Sequence, residues 1–403
     1  MKKILFTTYS GYPTPNSGGP NKIIFEIIQN LDREKYQADF LSYDLFLEDI
    51  HPLSSKDSFQ GKLSTKKKIT NFLFENIPFY RTLTTNSLYL KYHYKKRDKN
   101  FQKKIIGKRY DIIHAHDCLS LYHLLNLNAK KILTIHSKGS IVQDLMDGFY
   151  NQKYLMNNKT RLENMEIEAF NKADIVIFPS EAGKNLFLTG RENKLTNKYL
   201  QTIYNGIDLC YISQYKGNLN IFKKYGISDN YKLKILNVAK HITVKRIDIL
   251  INVINELKKL YNKNIILICI GKGPETENLI KMVNSFNLSQ NIRFIPYVEH
   301  NEILDFMKVC DFFVMPSERV VFDMVILEAL ATGICILANN EGGNKEIIKN
   351  GINGYLIENN NMKEILSKIL SEEKLDKHTI VNSIQKFSLD NMVENYSQLY
   401  STS

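Results

Sequence analysis

The chain has no tryptophan, five cysteines in 403 residues, and no apolar run near the roughly 18 residues that a membrane-spanning helix requires. Cys118, Cys210, Cys269, Cys310 and Cys335 are scattered, with no Cys-x-x-Cys pair and no histidine cluster at metal-ligand spacing. These absences argue against a disulfide-stapled scaffold and a structural zinc module, and lead us to expect a reduced, cytoplasmic protein with no metal. The opening Met-Lys-Lys-Ile-Leu-Phe-Thr-Thr-Tyr has too short an apolar core for a secretory signal and reads as a first strand. No Gly-x-Gly-x-x-Gly follows it, which counts against a nicotinamide dinucleotide. Zinc-finger, helix-turn-helix and RNA-binding signatures are missing too, so no nucleic-acid partner is expected.

What is present is globular. Hydrophobic residues make up 43% and charged residues 24% of a chain long enough for two domains, each with its own core. The net charge of +12 is concentrated: residues 62 to 109 hold fourteen Lys or Arg against two acids, Glu75 and Asp98, so this stretch accounts for the whole excess. There, Lys66-Lys67-Lys68 precedes Ile69, Phe72, Leu73 and Phe74, and Tyr89, Tyr92 and Tyr94 lead into Lys95-Lys96-Arg97. Basic residues interleaved with aromatics suit an anionic membrane surface, and a solvated charged face is the plainer reading of the same pattern.

Along the chain, short apolar runs alternate with helical patterns. Lys3 to Phe6 reads as a buried strand, followed by a loop containing Ser17-Gly18-Gly19-Pro20 and an amphipathic helix from about Asn21 to Leu31. Strand, Gly-rich turn and helix present backbone N–H groups to a phosphate. Two later strands, Asp111 to His116 and Ile132 to His136, end in polar residues, where open parallel sheets bind ligands. A strand from Thr202 is expected to close in an Asn205-Gly206 turn. After a polar linker the alternation restarts with strands at 234–239, 265–270, 292–295 and 312–315, separated by helices at about 247–260, 275–286 and 302–309.

The most informative stretch runs from Met315 to Glu346. It reads as a strand end, a turn at Pro316-Ser317, a helix from about Phe322 to Ala331 stopped by Gly333, and a strand from Ile334 to Ala338. From Met324 to Leu330 every residue except Glu328 is apolar, which predicts a helix with no wet face and a carboxylate needing donors. A ligand's hydroxyl pair would supply them; so would a backbone N–H or a lysine from a neighbouring strand. Gly342-Gly343 before the short helical stretch 345–349 leaves N–H groups that suit an anion, or forms an ordinary tight turn.

In this order the segments resemble the family 4 retaining glycosyltransferases. Pro316-Ser317, Phe322, Glu328-Ala329, Gly342-Gly343 and Glu346 match the family's donor-site signature; Asn205-Gly206-Ile207-Asp208 and the strands ending at His116 and His136 match others. Lys240 and Lys245 keep the spacing of the family's Arg and Lys, with lysine in the first place. Two positions depart: Val320 stands where the family has Glu, and Asp323 where it has Gly.

The resemblance implies an α/β fold of two tandem Rossmann-like doubly wound parallel-sheet domains facing a central cleft, the glycosyltransferase B arrangement. The expected division is an acceptor-binding domain (1–208), a nucleotide-sugar-binding domain (209–385) and a C-terminal helix returning to the first (386–403). The implied activity is a metal-independent, retaining hexosyl transfer. A nucleotide sugar, a UDP-sugar favoured, would donate to a hydroxyl of a glycan or polyprenyl-linked acceptor in cell-surface polysaccharide synthesis. No cofactor is implied. The setting would be cytoplasmic, peripheral to the inner membrane face through residues 62–109. A noncatalytic partner subunit and a nucleotide-sugar epimerase are the alternatives.

Carried over residue by residue, His136, Lys240 and Lys245 would be catalytic. Gly18, Gly19, Asp323, Glu328, Gly342, Gly343 and Glu346 would bind the donor, with Glu328 on the ribose. His116 would lie on the acceptor side. Loss of the family's Glu at Val320 would leave its sugar contacts to Asp323 or Glu318, to a donor lacking that hydroxyl, or to a protein that has lost catalysis.

Overall fold

A computed structural model describes residues 1–9, 11, 13–14, 19–42, 51–52, 101, 103–137, 139–148, 152–261, 264–358, 361–371 and 375–402. Gly18 and most of the basic segment 62–109 lie outside the described residues. The chain forms two compact units, Met1–Tyr204 with Met392–Ser403, and Asn205–Asn391. The helix Leu389–Ser401 therefore begins in one unit and ends in the other.

The first unit carries β1 (Lys2–Thr8), β2 (Tyr36–Ser42), β3 (His51–Pro52), β4 (Ile112–Ala115), β5 (Lys130–Thr134), β6 (Ile175–Phe178) and β7 (Leu200–Thr202) in the order β3-β2-β1-β4-β5-β6-β7. All pairings are parallel except that of the short edge strand β3 with β2. The second unit carries β8 (Leu233–Val238), β9 (Ile265–Ile270), β10 (Ile292–Ile295), β11 (Phe312–Met315), β12 (Cys335–Asn339) and β13 (Tyr355–Ile357), all parallel, in the order β10-β9-β8-β11-β12-β13.

Both orders are doubly wound. Strands that are buried on two faces need continuous apolar runs, and β9, Ile-Ile-Leu-Ile-Cys-Ile, is buried at every position. Its Leu267 and Cys269, with Ile235, Phe312, Val314 and Leu337 of the same sheet, share a core with Leu250, Ile254 and Leu257 of the helix Ile247–Tyr261. In the first unit Leu5, Ile113, Leu133 and Val176 play the same part with Phe170 and Phe187. Each such side chain contributes about 1.5–3 kcal/mol by leaving water.

The strand starts are clasped in one repeated way. Asp111, Asp174 and Asp311 each stand one residue before a strand, and each carboxylate accepts a backbone N–H from the adjacent strand: Lys3 at 2.6 Å, Lys131 at 2.7 Å and Lys234 at 2.9 Å. The same three aspartates donate their own N–H groups to the carbonyls of those lysines, at 2.8–2.9 Å. A short polar side chain thereby pairs an edge amide that the ladder leaves over.

One expected turn is not a turn. Gly206 and Ile207 run alongside the chain leading into the last helix, with the Ile207 N–H donating to Phe387 O at 3.0 Å and the Leu389 N–H to Ile207 O at 2.8 Å. A Cβ on Gly206 would fall 2.3 Å from Ser388 O, so close backbone approach is what requires glycine there. Among the described residues no helix is long and apolar enough to cross a membrane.

Candidate functional site

In a doubly wound sheet the crevice at the carboxyl ends opens where the strand order reverses. That point lies between β1 and β4 in the first unit and between β8 and β11 in the second. Each unit places a distinct polar constellation there.

At the first, the end of β4 delivers His114 and His116, and the end of β5 delivers Thr134 and His136. His116 Nδ1 lies 3.1 Å from His136 Nε2, and the two rings stack at 5.4 Å with 10° between planes. His114 sits 4.3 Å from His116, ring to ring, and both its nitrogens are engaged, Nδ1 with the Tyr400 hydroxyl at 2.7 Å and Nε2 with Thr134 Oγ1 at 2.8 Å. Asp117 caps the helix Cys118–Tyr122 through the Ser120 N–H at 2.8 Å and accepts the Tyr9 N–H, tying the ends of β1 and β4 together.

Burial pushes these imidazoles down: His114 to about 3, with His136 adding to the effect, His136 to about 4, and His116 well below the usual value, helped by His114 and His136. All three are neutral at pH 7. His116 was expected on the acceptor side, but its ring is only 1% exposed and its direct partner is His136. His116 Nε2 has no hydrogen-bond partner among the described residues. Gly19, with φ 57° and open space where a side chain would stand, begins the helix Pro20–Gln29.

The second constellation is charged. Lys240 follows β8 and is exposed; Lys245 ends a short 3-10 turn, Thr243–Lys245, and its side chain is only 13% exposed. The two lysines are therefore not equivalent cations. Lys245 Nζ donates to both carboxylate oxygens of Asp323, at 3.2 and 3.1 Å. Arg246, in the left-handed region at φ 49°, pairs with Glu318 and with Asp248, and the Glu318 N–H donates to Val244 O at 2.8 Å. The loop after β11 is thus zipped to the loop after β8.

Glu318 and Asp323, the acids expected to take over from the missing family glutamate, are each paired to a cation. Val320 itself is 2% exposed, so its side chain has joined the core.

Gly342 and Gly343 form the turn that opens the short helix, the plainer of the two expectations. A Cβ on Gly342 would sit 1.7 Å from Val320 O and one on Gly343 2.2 Å from Val321 O, while the Gly343 N–H donates to Val320 O at 3.3 Å. The glycines serve loop-to-loop approach, and the Gly343 amide is already taken. Glu341 adds to that contact, accepting the Arg319 N–H at 2.7 Å and the Asn339 side-chain amide at 3.2 Å. Glu346 is half-buried on the short helix Asn344–Ile347.

Glu328 has a partner the sequence did not suggest. The helix Met324–Thr332 buries Ile326, Leu327, Ala329, Leu330 and Ala331 but leaves Val325, Glu328 and Thr332 half-exposed at helical spacing, so one narrow face is not sealed. There Glu328 Oε1 lies 2.7 Å from His300 Nε2, with the glutamate side chain 15% exposed. His300 opens the next helix over, His300–Val309, and no local motif marks it. The Tyr400–His114–Thr134 network is the other feature that sequence reading missed, because its members come from opposite ends of the chain.

Two family models match. Residues 17–210 match Glycosyltransferase Family 4, and residues 218–386 match Glycosyl transferases group 1. An uncharacterized glycosyltransferase of Methanocaldococcus jannaschii is 25% identical over 92% of this chain and 89% of its own. The capsular polysaccharide biosynthesis glycosyltransferase CapH of Staphylococcus aureus is 24% identical over 74% of this chain and 79% of its own. Among solved structures, HepE of Anabaena in complex with UDP superimposes with a TM-score of 0.68 at 17% identity, over all of both chains.

Proposed function

Because this chain is a family 4 glycosyltransferase with the two-domain glycosyltransferase B fold, we propose that it moves a sugar from a nucleotide-sugar donor, a UDP-sugar favoured, to a hydroxyl of a glycan or lipid-linked acceptor in cell-surface polysaccharide synthesis. The capsular relative supports the acceptor class and the UDP-bound neighbour supports the base. The observation that carries the reading within this molecule is Lys245. It is a largely buried cation at the reversal point of the second sheet, on a loop held in place by the Arg246–Glu318 pair.

In the proposed chemistry the bond from the sugar's anomeric carbon to the diphosphate breaks while the acceptor oxygen bonds to that carbon on the same face. The acceptor's proton passes to the leaving phosphate. Lys245, with Lys240, offsets the charge that develops on the diphosphate, the kind of stabilisation that counts most when the group is fixed beforehand. Glu328 accepts from the ribose hydroxyls, steadied by His300. A neutral His136 offers a hydrogen bond to the reacting sugar rather than a charge, in keeping with a step that draws its proton acceptor from the substrate. No metal or cofactor enters this scheme.

One observation favours a second reading: Lys245 already has a counter-ion in Asp323, which suits a noncatalytic subunit that no longer binds a donor. A thermal-shift panel of UDP- and GDP-sugars separates the two. A donor at about a hundred times its dissociation constant should add about 2.7 kcal/mol to stability, and Lys245→Met should abolish that gain together with sugar transfer. No shift with any nucleotide sugar would overturn the enzymatic reading.

A further inference from the structure

The acid on Lys245 is out of keeping with its own position. Asp323 is the N-cap residue of the helix Met324–Thr332, with the extended backbone that N-caps adopt, φ −91° and ψ 105°. An aspartate there ordinarily turns its carboxylate back onto the helix's first-turn N–H groups. Asp323 makes no such bond; both of its oxygens lie on Lys245 Nζ, at 3.1 and 3.2 Å. The pair is held at low exposure, 13% for the lysine and 21% for the aspartate side chain, where ionic attraction is less screened than on an open surface.

We propose that Asp323 is an internal competitor for the donor's diphosphate: it neutralises Lys245 in the free protein and swings onto the N-terminus of its own helix when a phosphate takes the lysine. The proposal rests on the reading of Lys245 as a diphosphate ligand. A carboxylate and a phosphate on one ammonium repel each other, so a phosphate that takes Lys245 favours release of the aspartate. The displaced carboxylate has a ready position, because the cap backbone is already formed and the cap is vacant of a side-chain oxygen. The exchange makes Asp323 an affinity-determining residue, at a place where the family pattern has glycine and no exchange can occur. The expected consequence is a donor site weaker in its grip on diphosphate than its lysines alone would make it, and quicker to release the spent nucleotide.

Isothermal titration of inorganic pyrophosphate, UDP and GDP against four proteins tests this: wild type, Asp323→Asn, Lys245→Met and the double variant. Asparagine caps helices about as well as aspartate, so Asp323→Asn can take the vacant cap as it gives up the Lys245 ion pair, and a scan without ligand checks that it stays folded. Asp323→Asn should tighten pyrophosphate and the preferred nucleoside diphosphate about tenfold, and on top of Lys245→Met it should change nothing. Unchanged or weaker binding by Asp323→Asn, with Lys245→Met still weakening wild type, would overturn the competitor and leave the donor reading standing. Tightening that persists without Lys245 would overturn it as well. If none of the four proteins binds any of the three probes, the donor reading fails, and the competitor with it.

Discussion

The two reversal points of this molecule have the same topology and opposite chemistry. At the first, His114 is hydrogen-bonded to the hydroxyls of Tyr400 and Thr134, and His116 stacks on His136 and bonds to it, all three held neutral. At the second, Lys245 and Arg246 face Asp323, Glu318 and Asp248 in a chain of ion pairs. The difference teaches that the winding of the sheet decides where polar groups can gather, while the loops that follow each strand decide what they are.

Three measurements would sharpen or break that contrast. The largest effect is expected from Gly342→Ala. Its Cβ would fall 1.7 Å from the Val320 carbonyl oxygen, and backbone cannot yield as a side-chain tip can. We expect a loss of at least about 3 kcal/mol in chemical denaturation, with nucleoside diphosphate binding impaired because the loop around Val320 must move. A loss no greater than that of an ordinary left-handed glycine would show that the loops of the second unit are not locked together.

The next concerns acid. His114 is fully buried and lowered to about 3, so the folded state resists a proton that the unfolded chain accepts near its ordinary value of about 6.5. The sign follows directly: the stabilisation is complete above about pH 6.5 and is lost as pH falls towards 3. Between pH 7 and 5, His114 alone should cost about 2 kcal/mol, with His116 and His136 adding in the same direction. Melting curves over that range check it. A first unit as stable at pH 5 as at pH 7 would mean that the histidines are not held neutral.

The smallest effect is expected from Gly19→Ala. It has a positive φ of 57°, as Gly342 has 55°, yet nothing lies within 4 Å of the added Cβ. Only the backbone conformation opposes the change, so a loss of about 1–2 kcal/mol should appear in denaturant melts. A cost matching that of Gly342→Ala would break the distinction between a glycine needed for its backbone and one needed for its neighbours.

Much of this was legible in the chain. Periodicity placed β9 and β11 to the residue, because strands buried on both faces leave unbroken apolar runs, and the edge strand β10 as well, although Arg293 interrupts its run. The helix stopped by Gly333 is equally plain, since that residue adopts φ 76° where other side chains rarely go. The motifs also pointed to the loops after β8 and β11. What the spacing did not show was which groups meet: Gly206, Gly342 and Gly343 approach carbonyl groups from distant segments, and Glu328 meets a histidine.

Sequence by itself settled the alternation of strand and helix, the presence of two sheets, and which loops carry lysine, histidine and acid. Those follow from local periodicity and from covalent order, which a single stretch of chain contains. Only the tertiary structure decided the pairings: Lys245 with Asp323, Glu328 with His300, and His114 with Tyr400, separated by 78, 28 and 286 positions. A charge or an imidazole takes whichever partner lies within about 3 Å, and that distance is set by how helices and strands pack rather than by any residue near it in the chain.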